Sequence, residues 1–262
     1  MRKRFGQHFL EPAWAEKVVQ AIDPAPTDHF VEIGPGPGAL TLRLAPKVDR
    51  LTAIEVDRDL ASTLERSAPP NTSIITGDVL EEDLSRFAAQ GPLRIAGNLP
   101  YNVSSPILFK LLRLAQANRD VVDATLMLQF EVAERLVAPV GTHEYGVLTI
   151  LIRLHADVTR LLTLPPGAFR PPPKVRSAVV RLTFRPPPMP IVDEALFERL
   201  VRALFTQRRK MLLNSLRPLA TTMNVDPGSA LAAAGIDPRR RPETLQLTEL
   251  ARLTEALASG AG

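Results

Sequence analysis

Asn98-Leu99-Pro100-Tyr101 is the segment of this chain best suited to do chemistry. An exocyclic aromatic amine is a weak nucleophile because its lone pair is delocalised into the ring, and hydrogen-bond acceptors on its two protons help to free that pair. The Asn98 side-chain oxygen and a carbonyl of the Leu99-Pro100 turn can act as these acceptors. Tyr101 offers a flat face for stacking, which contributes roughly 1–3 kcal/mol per base. The segment indicates methyl transfer to a nucleobase amine, although a loop in which Pro100 makes the turn and Tyr101 fills the core fits the same residues.

A glycine-rich turn, Gly34-Pro35-Gly36-Pro37-Gly38, follows the run at residues 31–33 and precedes a helix-like segment at 39–44. Glycines let the backbone pass close to a ligand, and the first turn of a helix offers unpaired N–H groups. The turn is typical of a nucleotide-binding loop. By itself it also fits a dehydrogenase or a simple tight turn.

Acidic residues follow the next two predicted strands. Glu55 ends the run at 51–55, and Asp78 comes after the run at 73–76. Because the carboxyl ends of parallel strands share one edge of a sheet, we expect both acids to meet the glycine turn and Asn98 there. Glu55 would then accept from a ribose diol and Asp78 from an adenine amine. Each acid alone also fits a solvated loop residue or a helix cap.

Apolar runs that alternate with helix-like segments predict an α/β fold with a Rossmann-like, mostly parallel sheet. The predicted parallel strands are residues 30–33, 51–56, 73–76, 93–96 and 124–130. Residues 177–184 and 158–162 would add an antiparallel edge, giving a mixed sheet of about seven strands. After Pro186-Pro187-Pro188 the periodicity predicts helices at 194–205, 210–219 and 247–257, and hence a small all-helical C-terminal domain. The expected domains are 1–187 and 188–262.

Composition limits the class of protein without defining it. The 262 residues carry no cysteine, which excludes disulfides and thiolate metal sites, and the four histidines show no metal-ligand spacing. We therefore expect no metal. There is no long apolar run to cross a membrane, and the basic start is followed by no apolar signal core, so the expectation is a cytoplasmic protein with no membrane partner.

The net charge is only +4, but basic residues are clustered. The segment from Val158 to Val192 contains six lysines and arginines and no acidic residue, and further clusters are Arg2-Lys3-Arg4, Arg208-Arg209-Lys210 and Arg239-Arg240-Arg241. Such clusters are typical of phosphate binding, while solvated helix faces explain any single one of them. Together they favour an RNA partner.

Five segments, spread over nearly the whole chain, resemble the ribosomal RNA adenine dimethyltransferases. They are Arg4-Phe5-Gly6-Gln7-His8-Phe9-Leu10, Glu32-Ile33-Gly34-Pro35-Gly36, Gly97-Asn98-Leu99-Pro100-Tyr101-Asn102, Phe169-Arg170-Pro171-Pro172-Pro173-Lys174-Val175 and Phe205-Thr206-Gln207-Arg208-Arg209-Lys210. Leu99 and the run from Gln207 to Lys210 favour one bacterial branch of this family. Its enzymes dimethylate two adjacent adenosines in the 3′-terminal hairpin of small-subunit ribosomal RNA, and loss of the enzyme gives kasugamycin resistance.

The resemblance implies a methyltransferase domain at 1–187 that uses S-adenosyl-L-methionine and a helical domain at 188–262 that assists RNA binding. It implies cofactor contacts from His8, Leu10, Gly34, Gly36, Glu55, Asp78 and Asn98. The implied catalytic set is Asn98, Leu99, Pro100 and Tyr101, with Phe169 closing over the base opposite Tyr101. The implied RNA contacts are Arg2, Lys3, Arg4, Arg170, Lys174, Arg208, Arg209 and Lys210.

This sequence departs from the family pattern at two positions. His8 stands where relatives usually have Asn, although an imidazole can also donate and accept hydrogen bonds. Phe130 stands where a Lys is common, which we interpret as a modest change beside the site. We therefore expect the protein to keep the activity that the resemblance implies.

The expected partner is small-subunit ribosomal RNA in a pre-assembled small ribosomal subunit, bound by a monomer. Two rivals stay open on the sequence alone. One is a large-subunit methyltransferase of the erythromycin-resistance type, which shares the catalytic apparatus. The other is a non-enzymatic RNA-binding or assembly factor, against which Gly34, Glu55, Asp78, Asn98 and Tyr101 argue.

Overall fold

A computed structural model describes residues 8–260 and confirms the predicted mixed sheet. Within these residues seven strands form one sheet and two short strands form a second. The strands are β1 Phe9–Leu10, β2 His29–Ile33, β3 Arg50–Glu55, β4 Thr72–Thr76, β5 Leu93–Asn98, β6 Val121–Gln129, β7 Ala156–Leu164, β8 Phe169–Arg170 and β9 Ser177–Phe184.

The α-helices connect the strands and then form the C-terminal part of the chain. They are α1 Pro12–Ile22, α2 Thr41–Leu44, α3 Arg58–Glu65, α4 Ser85–Ala88, α5 Ser104–Ala117, α6 Phe130–Val137, α7 Val147–His155, α8 Glu194–Thr206, α9 Leu212–Thr222, α10 Pro227–Ala233 and α11 Leu247–Gly260. No helix among residues 8–260 is long and apolar enough to span a lipid bilayer.

The large sheet has the order β4-β3-β2-β5-β6-β9-β7. Strands β2 to β6 pair in parallel, and β9 pairs antiparallel with both β6 and β7. Residues of the central strand β2 are all buried, while those of the edge strand β4 are exposed or half-buried. A strand covered on both faces is usually apolar throughout, and β2 departs from this pattern by burying His29 and Glu32 as well.

The chain reverses direction across the sheet at β2. From β2 it proceeds to β3 and β4 on one side, and it returns to β5 on the other side of β2. A crevice therefore opens between the loops that follow β2 and β5, at the carboxyl ends of the parallel strands. In open α/β sheets this switch point is where ligands bind.

Two compact units make up the chain. One comprises the residues up to Ala133 together with Ala156–Arg185, and the other comprises Glu134–His155 together with the residues from Pro186 onward. The C-terminal part of the second unit begins at Pro186, two residues before the expected domain start at 188. The second unit also includes residues 134–155, which were expected in the first domain. The helix α7 in that segment packs against α8, so its contacts, rather than its place in the chain, determine its unit.

Candidate active site

A cavity of about 310 Å³ lies at the switch point, within the size range of small-molecule sites. All four parallel strands β2 to β5 end at it, because parallel strands direct their carboxyl ends to one edge. The last residues of β3 and β5, Glu55 and Asn98, contribute to its wall, as do Gly34 and Asp78 from the loops that follow β2 and β4. The predicted meeting of these motifs at one sheet edge is what the structure shows.

Glu55 ties the glycine turn to the end of β3. The Gly36 backbone N–H donates to Glu55 Oε2 at 2.9 Å, and the Asp57 N–H donates to Oε1 at 3.0 Å. Gly36 has φ of +57°, a left-handed conformation that glycine adopts without strain. Because a carboxylate has about four acceptor positions, the buried Glu55 keeps acceptor capacity for a ribose diol after these two bonds.

Asn98 is the last residue of β5, and its side chain faces the cavity. Its Nδ2 donates to the His8 carbonyl at 2.9 Å, which fixes the orientation of the amide. Among residues 8–260, no hydrogen bond reaches Asn98 Oδ1 or the Leu99 carbonyl oxygen, whereas the Pro100 carbonyl already accepts from the Val103 N–H at 3.2 Å. The acceptor pair suggested by the sequence is thus available as Asn98 Oδ1 and the Leu99 carbonyl.

Gly97, the residue before Asn98, permits the close approach of β5 to β2. A Cβ at this position would lie 2.6 Å from the Ile33 carbonyl oxygen, a distance that side-chain carbons do not tolerate. Only glycine fits at position 97. The close approach of the two strands brings Asn98 next to the glycine turn, where a Cβ at Gly34 would lie 3.6 Å from the Asn98 carbonyl oxygen.

Tyr101 lies at the cavity and is held from two sides. Its hydroxyl shares a 2.8 Å hydrogen bond with the Ser177 hydroxyl at the start of β9. The His8 ring stacks against it with a centroid distance of 5.7 Å, and His8 Nδ1 donates to the Pro171 carbonyl at 2.7 Å. The tyrosine is therefore a fixed platform rather than a core plug, since it contributes to the cavity wall.

Phe169 is buried and is not among the residues of the cavity wall. Its ring is only 2% exposed, packs in a core cluster with Leu10 and Val179, and is not part of the cavity wall. Phe169 is paired with Leu10 across the β1–β8 ladder, and directly paired residues share a face, so both side chains point into the core. A contact of Phe169 with the target base stays a prediction.

Glu32 lines the cavity, and the sequence did not reveal its burial or its raised pKa. Its side chain is 1% exposed, and Oε2 has no hydrogen-bond partner among the described residues. Burial raises the pKa of Glu32 from 4.5 to about 7; Thr41 opposes this rise, and the charge of Glu55 adds to it. A protonated carboxyl can donate as well as accept, while a cationic ligand in the cavity would favour the ionised form.

All seven residues expected to hold the cofactor line the cavity: His8, Leu10, Gly34, Gly36, Glu55, Asp78 and Asn98. Asp78 is exposed, and one of its oxygens accepts from the Leu80 N–H at 2.9 Å. Sequence reasoning missed several apolar wall residues, namely Phe9, Val56, Val79, Ile107 and Met127. Val56 and Val79 directly follow the expected acids, and that position is the one signal that could have found them.

The residues expected to bind RNA divide into different environments. Arg209, Lys210 and Lys174 are exposed. Arg208 instead donates to the carbonyls of His143 at 2.5 Å and Thr142 at 2.9 Å, so it is committed to holding a loop of its own unit. Arg170 is exposed but forms an ion pair with Glu11. The remaining residues of the set, Arg2, Lys3 and Arg4, lie outside the described residues.

The sequence matches the family described as ribosomal RNA adenine dimethylase over residues 1–258. Similar proteins include the Ribosomal RNA small subunit methyltransferase A of Xylella fastidiosa, 46% identical over 97% of this chain and 95% of that protein. The protein of the same name from Acinetobacter baylyi is 44% identical over 98% of this chain and 92% of that protein. These matches extend over both units of the chain.

Two solved structures share the fold over nearly the whole length. A dimethyladenosine transferase from Plasmodium falciparum matches with a TM-score of 0.76 and 25% identity, covering 94% of this chain and 96% of that one. The 23S rRNA methyltransferase ErmE matches with a TM-score of 0.70 and 26% identity, covering 95% and 99%.

Fold and cavity together define a Rossmann-like methyltransferase of the S-adenosylmethionine-dependent class. Within that class the chain belongs to the ribosomal RNA adenine dimethylase family. The resemblance stated from the five sequence segments is thereby confirmed. The protein is an enzyme that methylates adenine in ribosomal RNA.

Proposed function

We propose that this enzyme uses S-adenosyl-L-methionine to dimethylate N6 of two adjacent adenosines in the 3′-terminal hairpin loop of small-subunit ribosomal RNA. The observation that carries this proposal is the cavity edge at which Asn98 Oδ1 and the Leu99 carbonyl have no donor among the described residues. The small-subunit substrate is supported by the names of the relatives from Xylella fastidiosa and Acinetobacter baylyi.

The residues of the cavity fit the cofactor. Glu55 would bind its ribose, Asp78 its adenine amine, and the glycine turn with His8 and Leu10 its methionine part, while Glu32 supplies a buried carboxyl whose Oε2 has no hydrogen-bond partner among the described residues. The cofactor, when bound, supplies an electrophilic methyl group on a sulfonium.

The chain itself contributes orientation and hydrogen bonding. Asn98 Oδ1 and the Leu99 carbonyl accept from the two N6 protons, which keeps the nitrogen lone pair available, and Tyr101 holds the plane of the base. The amine loses a proton on each transfer, and no side chain with a tuned pKa is needed to remove it, because the methylated nitrogen is a strong acid. A second round requires that the same acceptors admit the monomethylated base.

The adenosine must leave its stack to reach the cavity, and a hairpin loop makes this less costly than a duplex. Exposed Arg209, Lys210 and Lys174, with the helical unit, would hold the surrounding RNA backbone. We place the protein in the cytoplasm, acting as a monomer on an assembled small subunit, and expect its loss to confer kasugamycin resistance.

A second candidate substrate is large-subunit RNA, which the likeness to the 23S rRNA methyltransferase ErmE supports. The test is to incubate the protein with methyl-labelled cofactor and unmethylated small or large subunits, and then to analyse the nucleosides. Dimethyladenosine in small subunits alone supports the proposal. Label in large subunits alone supports the second candidate, and absence of label despite cofactor binding contradicts both.

A further inference from the structure

Three arginines of the basic segment between β7 and the end of β9 lie near carboxylates from outside the segment. Arg170 pairs with Glu11, Arg185 pairs with Asp157 at 2.8 Å, and Arg181 lies 3.9 Å from Asp123. Within residues 8–260, Arg176 has no carboxylate partner, and it is exposed.

Arg176 is nevertheless held in place. Its guanidinium lies 4.1 Å from the centroid of the half-buried Phe130 ring, and the Phe130 N–H donates to the Arg176 carbonyl at 3.0 Å. Arg160 approaches the same ring at 5.4 Å. A guanidinium stacked on a ring loses little further rotamer freedom when its N–H edge binds a ligand.

This arrangement adjoins the candidate active site. Arg176 precedes Ser177, whose hydroxyl bonds the Tyr101 hydroxyl at 2.8 Å, and Ser177 pairs with Gln129, the residue before Phe130. The ends of β6 and β9 therefore place Phe130 and Arg176 next to the tyrosine that would stack on the target base. An RNA strand that delivers a base to Tyr101 carries its next phosphates past this position.

We propose that Arg176, held by the Phe130 ring, binds a backbone phosphate next to the target adenosine. This inference rests on the RNA substrate of the proposed function and adds a specific contact to it. The ligand is an RNA phosphodiester, bound by charge and by the guanidinium N–H groups, so the contact positions the strand without reading its sequence.

The test compares Arg176→Ala with Arg66→Ala, which removes the same charge from an exposed arginine just after α3, at the opposite, amino edge of the sheet. Binding of a fluorescent small-subunit hairpin RNA is measured at several salt concentrations, together with cofactor affinity, Tm, kcat and KM. For Arg176→Ala we expect RNA affinity to fall on the order of tenfold and the slope of log K against log salt to decrease by about one. Cofactor affinity and Tm should stay unchanged, and KM should change more than kcat.

The role of the ring is tested separately. Phe130→Leu should weaken RNA binding by about two- to fivefold through the lost cation–π contact, while Phe130→Tyr should retain it. Because the ring acts through Arg176, the double variant Phe130→Leu/Arg176→Ala should bind no more weakly than Arg176→Ala alone.

Two results would overturn the inference. One is an Arg176→Ala variant whose salt slope and affinity equal those of Arg66→Ala. The other is an Arg176→Ala variant with a lower Tm and a weaker cofactor affinity than the wild type, which would assign the arginine a structural role. If the wild-type protein methylates neither subunit, the proposed function fails, yet the binding slopes still decide whether Arg176 contacts RNA.

Discussion

The two ends of strand β5 are built for different purposes. Near its beginning, Arg94 donates to Asp123 at 2.8 Å and to Asp28 at 2.6 Å, and also to the Ile22 carbonyl at 2.9 Å. At its end, Asn98 uses its N–H group within the protein, while its side-chain oxygen has no donor among the described residues. One strand thus carries a satisfied ionic network at one edge of the sheet and open acceptors at the other.

The comparison shows where stability and function are separated in this fold. A buried charge that has all its partners stabilises the sheet only as long as the network is complete. Open acceptors and an unpartnered buried carboxyl cost stability, and they become useful only when a ligand completes them. Variants at the two edges should therefore affect different measurements.

The largest expected effect is on stability, from Arg94→Ala. The change removes the cation that Asp28 and the buried Asp123 share, and only the more distant Arg181, at 3.9 Å, stays near Asp123, so the free energy of unfolding should fall by about 3 kcal/mol. Urea unfolding measures this. Arg86→Ala is the control, since the pair of the exposed Arg86 with the half-buried Glu82, four residues apart, should contribute about 0.5 kcal/mol. Similar losses from both variants would contradict the special role of the amino edge.

Asn98→Ala should act on catalysis at the opposite edge. Loss of one preorganised hydrogen-bond partner should lower the rate of methyl transfer by about 10²–10³-fold in single-turnover assays, while retention of RNA stays near that of the wild type. Asn118→Ala, an amide substitution at the end of α5, is the matched control and should react normally. Equal loss of RNA retention and transfer would count against the assigned role.

Glu32→Gln should change how the free energy of unfolding depends on pH, and this tests the cost of burying a carboxyl at the cavity edge of the sheet. With a folded pKa of about 7 against an ordinary 4.5, Glu32 contributes stability that is fully present below pH 4.5 and is lost as the pH rises through 7. The wild type should lose on the order of 3 kcal/mol more than Glu32→Gln between pH 4 and pH 8. Urea titrations at both pH values test this, with the exposed Glu65→Gln as a control. Parallel curves for wild type and Glu32→Gln would disprove it.

The smallest expected effect comes from Tyr101→Phe, which removes only the hydrogen bond to Ser177. We expect a loss of about 1 kcal/mol in stability and little change in activity, because the ring remains. Tyr101→Ala should instead raise KM for RNA by about 5- to 150-fold through lost stacking. If Tyr101→Phe impairs transfer as much as Tyr101→Ala, the hydroxyl rather than the ring is the important group.

Local sequence patterns predicted the elements well where one physical cause dominates. The strand at 177–184 was predicted at its observed bounds, Ser177–Phe184, because most of its residues are apolar and all of these except Phe184 are buried. The helix predicted at 210–219 is observed at Leu212–Thr222, and α10 was missed because its seven small and mostly weakly apolar residues show little periodicity.

Charge patterns were a poorer guide than apolar ones. The sequence shows a basic segment without acids, yet Glu11, Asp123 and Asp157 from distant positions pair with three of its arginines. Arg208 stood in the expected RNA-binding run but holds backbone carbonyls. An arginine's partner is set by what lies near it in space, which spacing along the chain does not encode.

The sequence by itself determined the succession along the chain of the strands of the large sheet and the motifs at their ends, because apolar runs and glycine turns are local features, whereas the order of these strands in the sheet came from the structure. It therefore placed Gly34, Glu55, Asp78 and Asn98 at one edge. Only the tertiary structure decided that Phe169 is buried, that Glu32 Oε2 lacks a hydrogen-bond partner among the described residues, and that Arg176 stacks on Phe130. These states depend on which residues from distant segments pack together, and so on the solvent and charge that surround each group.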